Sequence, residues 1–241
     1  MNQKTSFSVT FVRHGETDEN VQAIIQGQAD TKLNEVGYEQ ARLLAKKFPI
    51  EKYHLIYSSD LSRAYETAKE LIAGRPIEIY TDCRLRERLF GSIQGQSLSK
   101  LQQLAKKNGV SIVEYTPPDG ERPIDVRNRV IDFIQSRLIP EVINHESKET
   151  ETLIVSHGGV IREMIKYFKS FGHHSFSSDN RSEFIPPNTS VSEFVVQYDP
   201  QLSIIKSVES VRIHDITHMG ERLQEKALSQ KQINKKDGPS I

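Results

Sequence analysis

Two short apolar runs constrain this chain more than anything else in it. Residues 7–12 read as a buried strand that stops at a glycine straight after Arg13-His14, inside the stretch FSVTFVRHGETDEN. Residues 152–156 (TLIVS) do the same and deliver His157-Gly158-Gly159. Ligands in open α/β sheets sit outside the carboxyl ends of the strands. The two histidines are therefore expected at one edge of one sheet, handling a phosphate.

The rest of the pattern alternates. A helix is expected from Asn34, with Ala41, Leu44, Ala45 and Phe48 at helical spacing and Pro49 as its stop. A strand over 55–57 leads through Ser58-Ser59-Asp60 into a helix carrying Leu61, Ala64, Ala68, Leu71 and Ile72. A third strand is expected over 76–80, irregular chain over 82–96, a helix over 97–107 and a long one over 123–144. A helix over 160–168 follows the Gly158-Gly159 pair. A hairpin over 191–198 and 202–208 turns at Asp199-Pro200. Such alternation implies an α/β three-layer sandwich: a mainly parallel sheet, helices on both faces, an antiparallel edge strand. One domain over 1–215 is expected, and a polar, lysine-rich, mobile tail over 216–241.

Composition narrows the partners. Formal net charge is zero, which argues against nucleic acid and leaves any basic cluster to a small anion. With 36% hydrophobic residues and no long apolar run, no membrane span is expected. No signal peptide is visible, and Cys83 is the only cysteine, so a cytoplasmic location is expected. His214 with His218, and His173 with His174, are the histidine pairs that could compete as metal ligands. Neither has cysteines nearby and no HExxH occurs, so no metal and no cofactor are expected.

The chemistry then falls on few residues. A histidine beside arginines is pushed towards its neutral form, and a neutral imidazole is a competent nucleophile towards phosphorus. His14 is either that nucleophile or the cap of a strand, and Arg13, Gly15 and Glu16 alongside favour the first. Arg13 offers a planar fork to phosphate oxygens. Arg63 lies in the first turn of its helix, where it either joins an anion pocket or pairs with Glu66 or Glu70 at the surface. Gly158 and Gly159 let backbone amides approach a ligand beside His157. Asn20, Gln26 and Gly27 are candidate phosphate contacts. Glu87 is either a proton donor to a leaving group or a solvated member of the charge run Arg84, Arg86, Arg88.

These motifs, RHGET at 13–17, SSDLSRAYETA around Arg63, LRER at Glu87 and SHGG at 156–159, resemble in order those of the histidine phosphatase, or phosphoglycerate mutase-like, superfamily. The resemblance covers residues 6–198. It implies His14 as phosphohistidine nucleophile, Arg13, Arg63 and His157 as the phosphate pocket, and Glu87 as proton donor, with no metal. IIQGQ, RLRER, TPPDGE and PPNTSVSEFVV look most like the TIGAR-type fructose-2,6-bisphosphatases, which implies a small phosphorylated sugar or sugar acid as substrate. From Glu87 to His157 the chain runs only 70 positions (157 − 87), shorter than in the animal members of that branch. Mutases of the family cover the site with a longer insertion, so the short interval favours hydrolysis; a mutase or a broad-specificity phosphatase is the alternative.

Overall fold

A computed structural model describes residues 6–147, 149–172 and 184–233. In chain order its elements are β1 (Ser6–Arg13), α1 (Asp18–Val21), α2 (Glu35–Lys47), β2 (Leu55–Ser58), α3 (Ser62–Ile72), β3 (Tyr80–Thr81), α4 (Leu98–Lys107), α5 (Pro123–Phe133), α6 (Ile139–Asn144), β4 (Thr150–Ser156), α7 (Gly158–Lys169), β5 (Val191–Asp199), β6 (Ile204–Asp215) and α8 (Glu221–Ile233). The six strands are ordered β3-β2-β4-β1-β5-β6. The first four in that order are parallel, β5 runs antiparallel to both its neighbours, and the mixed α/β sheet matches the expected class.

Each face of the sheet buries its own core. Phe7, Val9, Phe11 and Ile154 alternate onto the side covered by α5, α6 and α7. Val12, Ile56, Leu153 and Val155 point the other way, beneath α2 and α3. Burial on both faces is why β1 and β4 read as near-continuous apolar runs. Thr10, the polar interruption in β1, is fully buried and its hydroxyl pairs with that of Tyr53 at 3.1 Å.

Several expectations change. The third strand shrinks to two residues because Pro76 has no N–H to give a ladder, while Ile77 and Ile79 pack on the second core without pairing. The stretch before Asn34 contains α1, capped reciprocally by Thr17 and Asn20. The helix expected over 123–144 is continuous, but residues 134–138 form a π turn. Pro140 lacks an N–H and its ring would crowd the carbonyl four residues back, and the widened turn accommodates both. The mobile tail expected from 216 is corrected: α8 lies within it, and Met219, Leu223 and Ala227 bury against Val36 and Leu43 of α2. Its apolar residues fall one turn apart, which is what a helix docked by a single narrow stripe needs. Residues 234–241 lie outside the described residues. Among the described residues no helix is long and apolar enough to cross a membrane.

Candidate active site

The register of the two central strands makes the site. Arg13 of β1 pairs with Ser156 of β4, so the next residues, His14 and His157, emerge side by side. The His14 N–H donates to the Ser156 carbonyl at 2.9 Å, and the two imidazole centroids are 5.2 Å apart. His14 Nδ1 lies 2.7 Å from the Gly15 carbonyl, which can only accept, so Nδ1 carries the proton and Nε2 keeps its lone pair. Gly15 is held twice. Its N–H donates to Thr67 Oγ1 at 3.0 Å, and its Cα packs on the first turn of α2 so closely that a Cβ would stand 2.6 Å from the Gly37 carbonyl oxygen. A Cβ on Gly37 would in turn meet the Glu16 carbonyl oxygen at 2.2 Å.

Arg63 is 1% exposed and belongs to the pocket, not to a surface pair with Glu66 or Glu70. Its guanidinium donates to the carbonyls of Gly27 and Ala29, both at 2.8 Å, and so ties α3 to the loop after α1. Arg13 Nη1 donates to the Pro186 carbonyl at 2.7 Å. Three buried nitrogens here, Arg13 Nε, Arg63 Nε and His157 Nδ1, have no hydrogen-bond partner. Each would cost on the order of 1–3 kcal/mol left that way, and three together mark a place built for an anion.

The electrostatics agree. Burial, with Glu87 opposing, draws the Arg13 and Arg63 guanidiniums down to about 10, still charged at neutral pH. Burial first, then Arg63 and Arg13, holds His14 well below the usual imidazole value. His157 is lowered in the same way, by burial and then by Arg63, His14 and Arg13. The sequence pointed to the arginines as the cause of a neutral His14; burial is the larger one.

Glu87 faces the same cavity, between the 3-10 turn 83–85 and the start of α7. Its Oε2 accepts from the Gly159 N–H at 3.0 Å and its Oε1 from the Arg88 N–H at 2.7 Å. The three arginines around it point elsewhere. Arg84 pairs with Asp82 and Asp132, Arg86 with Asp60, and Arg88 donates to the carbonyls of Val113, Tyr115 and Glu121. Gly159 is the residue that admits the carboxylate, since a Cβ there would stand 2.3 Å from Glu87 Oε1.

Arg13, His14, Asn20, Gln26, Gly27, Arg63 and Glu87 line one cleft of about 230 Å³. Typical drug-sized pockets hold about 300–1,000 Å³, so the occupant is small. His157 and Gly158 do not line it. His157 stands behind His14 with Nε2 on Ser59 Oγ at 2.9 Å, and Gly158 packs against Ile185 and the Arg13 guanidinium. Gln26 is turned inward by Thr31, whose hydroxyl donates to it. Gly27 sits at φ +53°, where Gln94 leaves no room for a side chain. Asn188 was not foreseen: its amide donates to the His14 carbonyl at 3.0 Å, the Gly15 carbonyl at 3.2 Å and Asn20 Oδ1 at 3.1 Å. His218, a candidate metal ligand by its spacing from His214, instead meets Thr189 Oγ1 at 3.0 Å. Among the described residues no group of three or more His, Cys, Asp or Glu is placed to hold a metal, and His173 and His174 lie outside them.

The chain is 31% identical to fructose-2,6-bisphosphatase TIGAR of Xenopus tropicalis, over 89% of this chain and 95% of that one. It is 37% identical to the phosphoglycerate mutase-like protein 4 of Arabidopsis thaliana over 65% of this chain and 68% of that one. Bacillus stearothermophilus YhfR superposes with a TM-score of 0.69 at 30% identity, over 88% of this chain and 98% of that one. A mycobacterial glucosyl-3-phosphoglycerate phosphatase solved with VO3 superposes at 0.64 and 28%, covering 78% and 92%. Residues 9–208 match the family model described as histidine phosphatase superfamily (branch 1), and the chain belongs to that superfamily.

Proposed function

We propose that this phosphatase works through a phosphohistidine at His14. The observation that carries the reading is the unprotonated His14 Nε2 standing beside His157, with the buried Arg13 Nε and Arg63 Nε both lacking a partner. Arg13 and Arg63 hold the transferred phosphoryl group and spread its charge. His14 Nε2 forms the N–P bond as the ester P–O bond breaks, and the acid form of Glu87 gives its proton to the leaving oxygen. Glu87, now a carboxylate, takes a proton from water as that water attacks phosphorus. The N–P bond breaks, inorganic phosphate leaves, and His14 returns to its neutral form. His157 backs His14, with 5.2 Å between the ring centroids and its Nε2 on Ser59 Oγ, and so fixes the position of the nucleophile's ring. Asn20, Gln26 and Gly27 shape the pocket around the ester. The chain needs no cofactor, metal, nucleic acid or membrane in this scheme, and works in the cytoplasm.

The substrate we infer is a small phosphorylated sugar or sugar acid, with fructose 2,6-bisphosphate first and 2,3-bisphosphoglycerate second; removing the former would restrain glycolysis. The similarity to TIGAR along most of the chain supports this order. The test is phosphate release from a panel of phosphorylated metabolites without added metal, with rapid acid-free quenching to trap label on His14. Release from fructose 2,6-bisphosphate and no label in His14→Ala is the expected result. Full turnover by His14→Ala overturns the nucleophile. Transfer between two positions of a sugar acid, in place of release to water, makes it a mutase.

A further inference from the structure

The C-terminal segment, which composition alone would leave in solvent, reaches the active site at three points. Ala227 of α8 lines the cleft itself, together with Ile24, Leu98, Leu101 and Phe90. The neighbouring Lys226 extends its ammonium to the carboxylate of Glu16 at 2.8 Å, and that glutamate is 1% exposed and two residues from the nucleophile. His218, just before α8, meets Thr189 Oγ1, and the Thr189 N–H donates to the carbonyl of Arg13 at 3.0 Å. One helix is therefore anchored on both sides of the RHGE turn and presents a methyl group to the space where a leaving group must go.

The lining of this one cleft combines the charged Arg13 and Arg63 with the apolar Leu98 and Leu101 of α4 and Ala227 of α8. We propose that Ala227, with Leu98 and Leu101, forms a wall that selects the leaving group, and that Lys226 and His218 position the wall against the nucleophile turn. The substrate class is a phosphomonoester whose leaving group turns a C–H face to α8, as an alkyl chain, an aryl ring or the carbon face of a sugar does. This rests on the phosphoryl group lying between Arg13 and Arg63, as the proposed function has it. Ala227 is a specificity residue in this scheme, and Lys226 and His218 are positioning residues.

Alkyl phosphonates from methyl to butyl test it, because their P–C bond is not hydrolysed and binding to the full chain can be measured by calorimetry. In the parent protein affinity rises roughly two- to four-fold per methylene as each is buried on the wall. Ala227→Leu fills the space: butylphosphonate binds at least ten-fold more weakly, and methylphosphonate and inorganic phosphate stay within two-fold. Lys226→Met, which takes the ammonium from the buried Glu16 carboxylate, lowers the butyl-to-methyl affinity ratio by releasing the helix, with the melting temperature read alongside to confirm a folded chain. Affinity independent of chain length in the parent, or an equal loss for methyl and butyl in both variants, overturns the wall. A chain that shows the length gradient but releases no phosphate from any ester overturns the phosphatase mechanism and leaves the wall standing. A chain that hydrolyses esters without the gradient does the reverse.

Discussion

Gly159→Ala separates the role proposed for Glu87 from the stability of the fold. Gly159 lies in the first turn of α7 with helical backbone, so alanine is conformationally welcome there and stabilises the helix by up to about 1 kcal/mol. The new Cβ, however, would stand 2.3 Å from Glu87 Oε1. The carboxylate must retreat by about 1 Å to reach van der Waals distance, and its bond from the Gly159 N–H is lost. A misplacement of about 1 Å in a reacting group costs roughly 10²-fold, or about 2.7 kcal/mol of barrier. The assay is single-turnover phosphorylation of the protein by two esters. From an alkyl phosphate, whose leaving oxygen needs a proton, the rate falls about 10²-fold. From nitrophenyl phosphate, whose leaving group departs without one, it stays within a few-fold. The melting temperature is unchanged or higher. Parent-like phosphorylation by the alkyl ester would refute the placement of Glu87, and equal losses with both esters would refute its role as acid.

Two further outcomes follow from the site. Native His14 and His157 refuse protons that unfolded imidazoles, near 6.5, accept, so stability is lost as pH falls below about 6.5 and is unaffected above it. Each contributes a slope of up to about 1.4 kcal/mol per pH unit; unfolding free energies at pH 7.5 and 5.5 should therefore differ less in His14→Asn than in the parent, and an identical difference refutes the buried neutral form. His218, pushed down to about 4 chiefly by burial, adds a slope of the same sign to both proteins. Asn188→Ala removes the donor shared by the His14 and Gly15 carbonyls, so about 1–3 kcal/mol of stability and at least ten-fold in kcat should be lost; denaturant titration and steady-state assay together check it.

Much of this was legible because the chemistry is mounted on the strongest local signals. β1 and β4 are apolar runs that stop at glycine, and once both are parallel neighbours the histidines after them can only be adjacent. Arg63 was ambiguous from its helix position, since nothing in the first turn of α3 says that the carbonyls of Gly27 and Ala29 wait above it. Asn188 escapes the sequence for the same reason on a larger scale: its partners lie 174 and 173 positions away along the chain, at the end of the neighbouring strand. Ile77 and Ile79 imitate a strand by alternation, but alternation reports a buried face and not a ladder. The helix α8 hides because only Leu223 and Ala227 of its described side chains are buried, too narrow a stripe to stand out among charged neighbours.

The Gly15–Gly37 contact ties the reactive turn to α2 through bare backbone on both sides, with no side chain to act as a cushion. Such a joint has no intermediate setting: a shift large enough to displace His14 must also lift the first turn of α2 from the sheet. Chemical competence and the integrity of that layer are consequently lost as one event, and the amides of Gly15 and Glu16 should open to solvent only when the whole helix does.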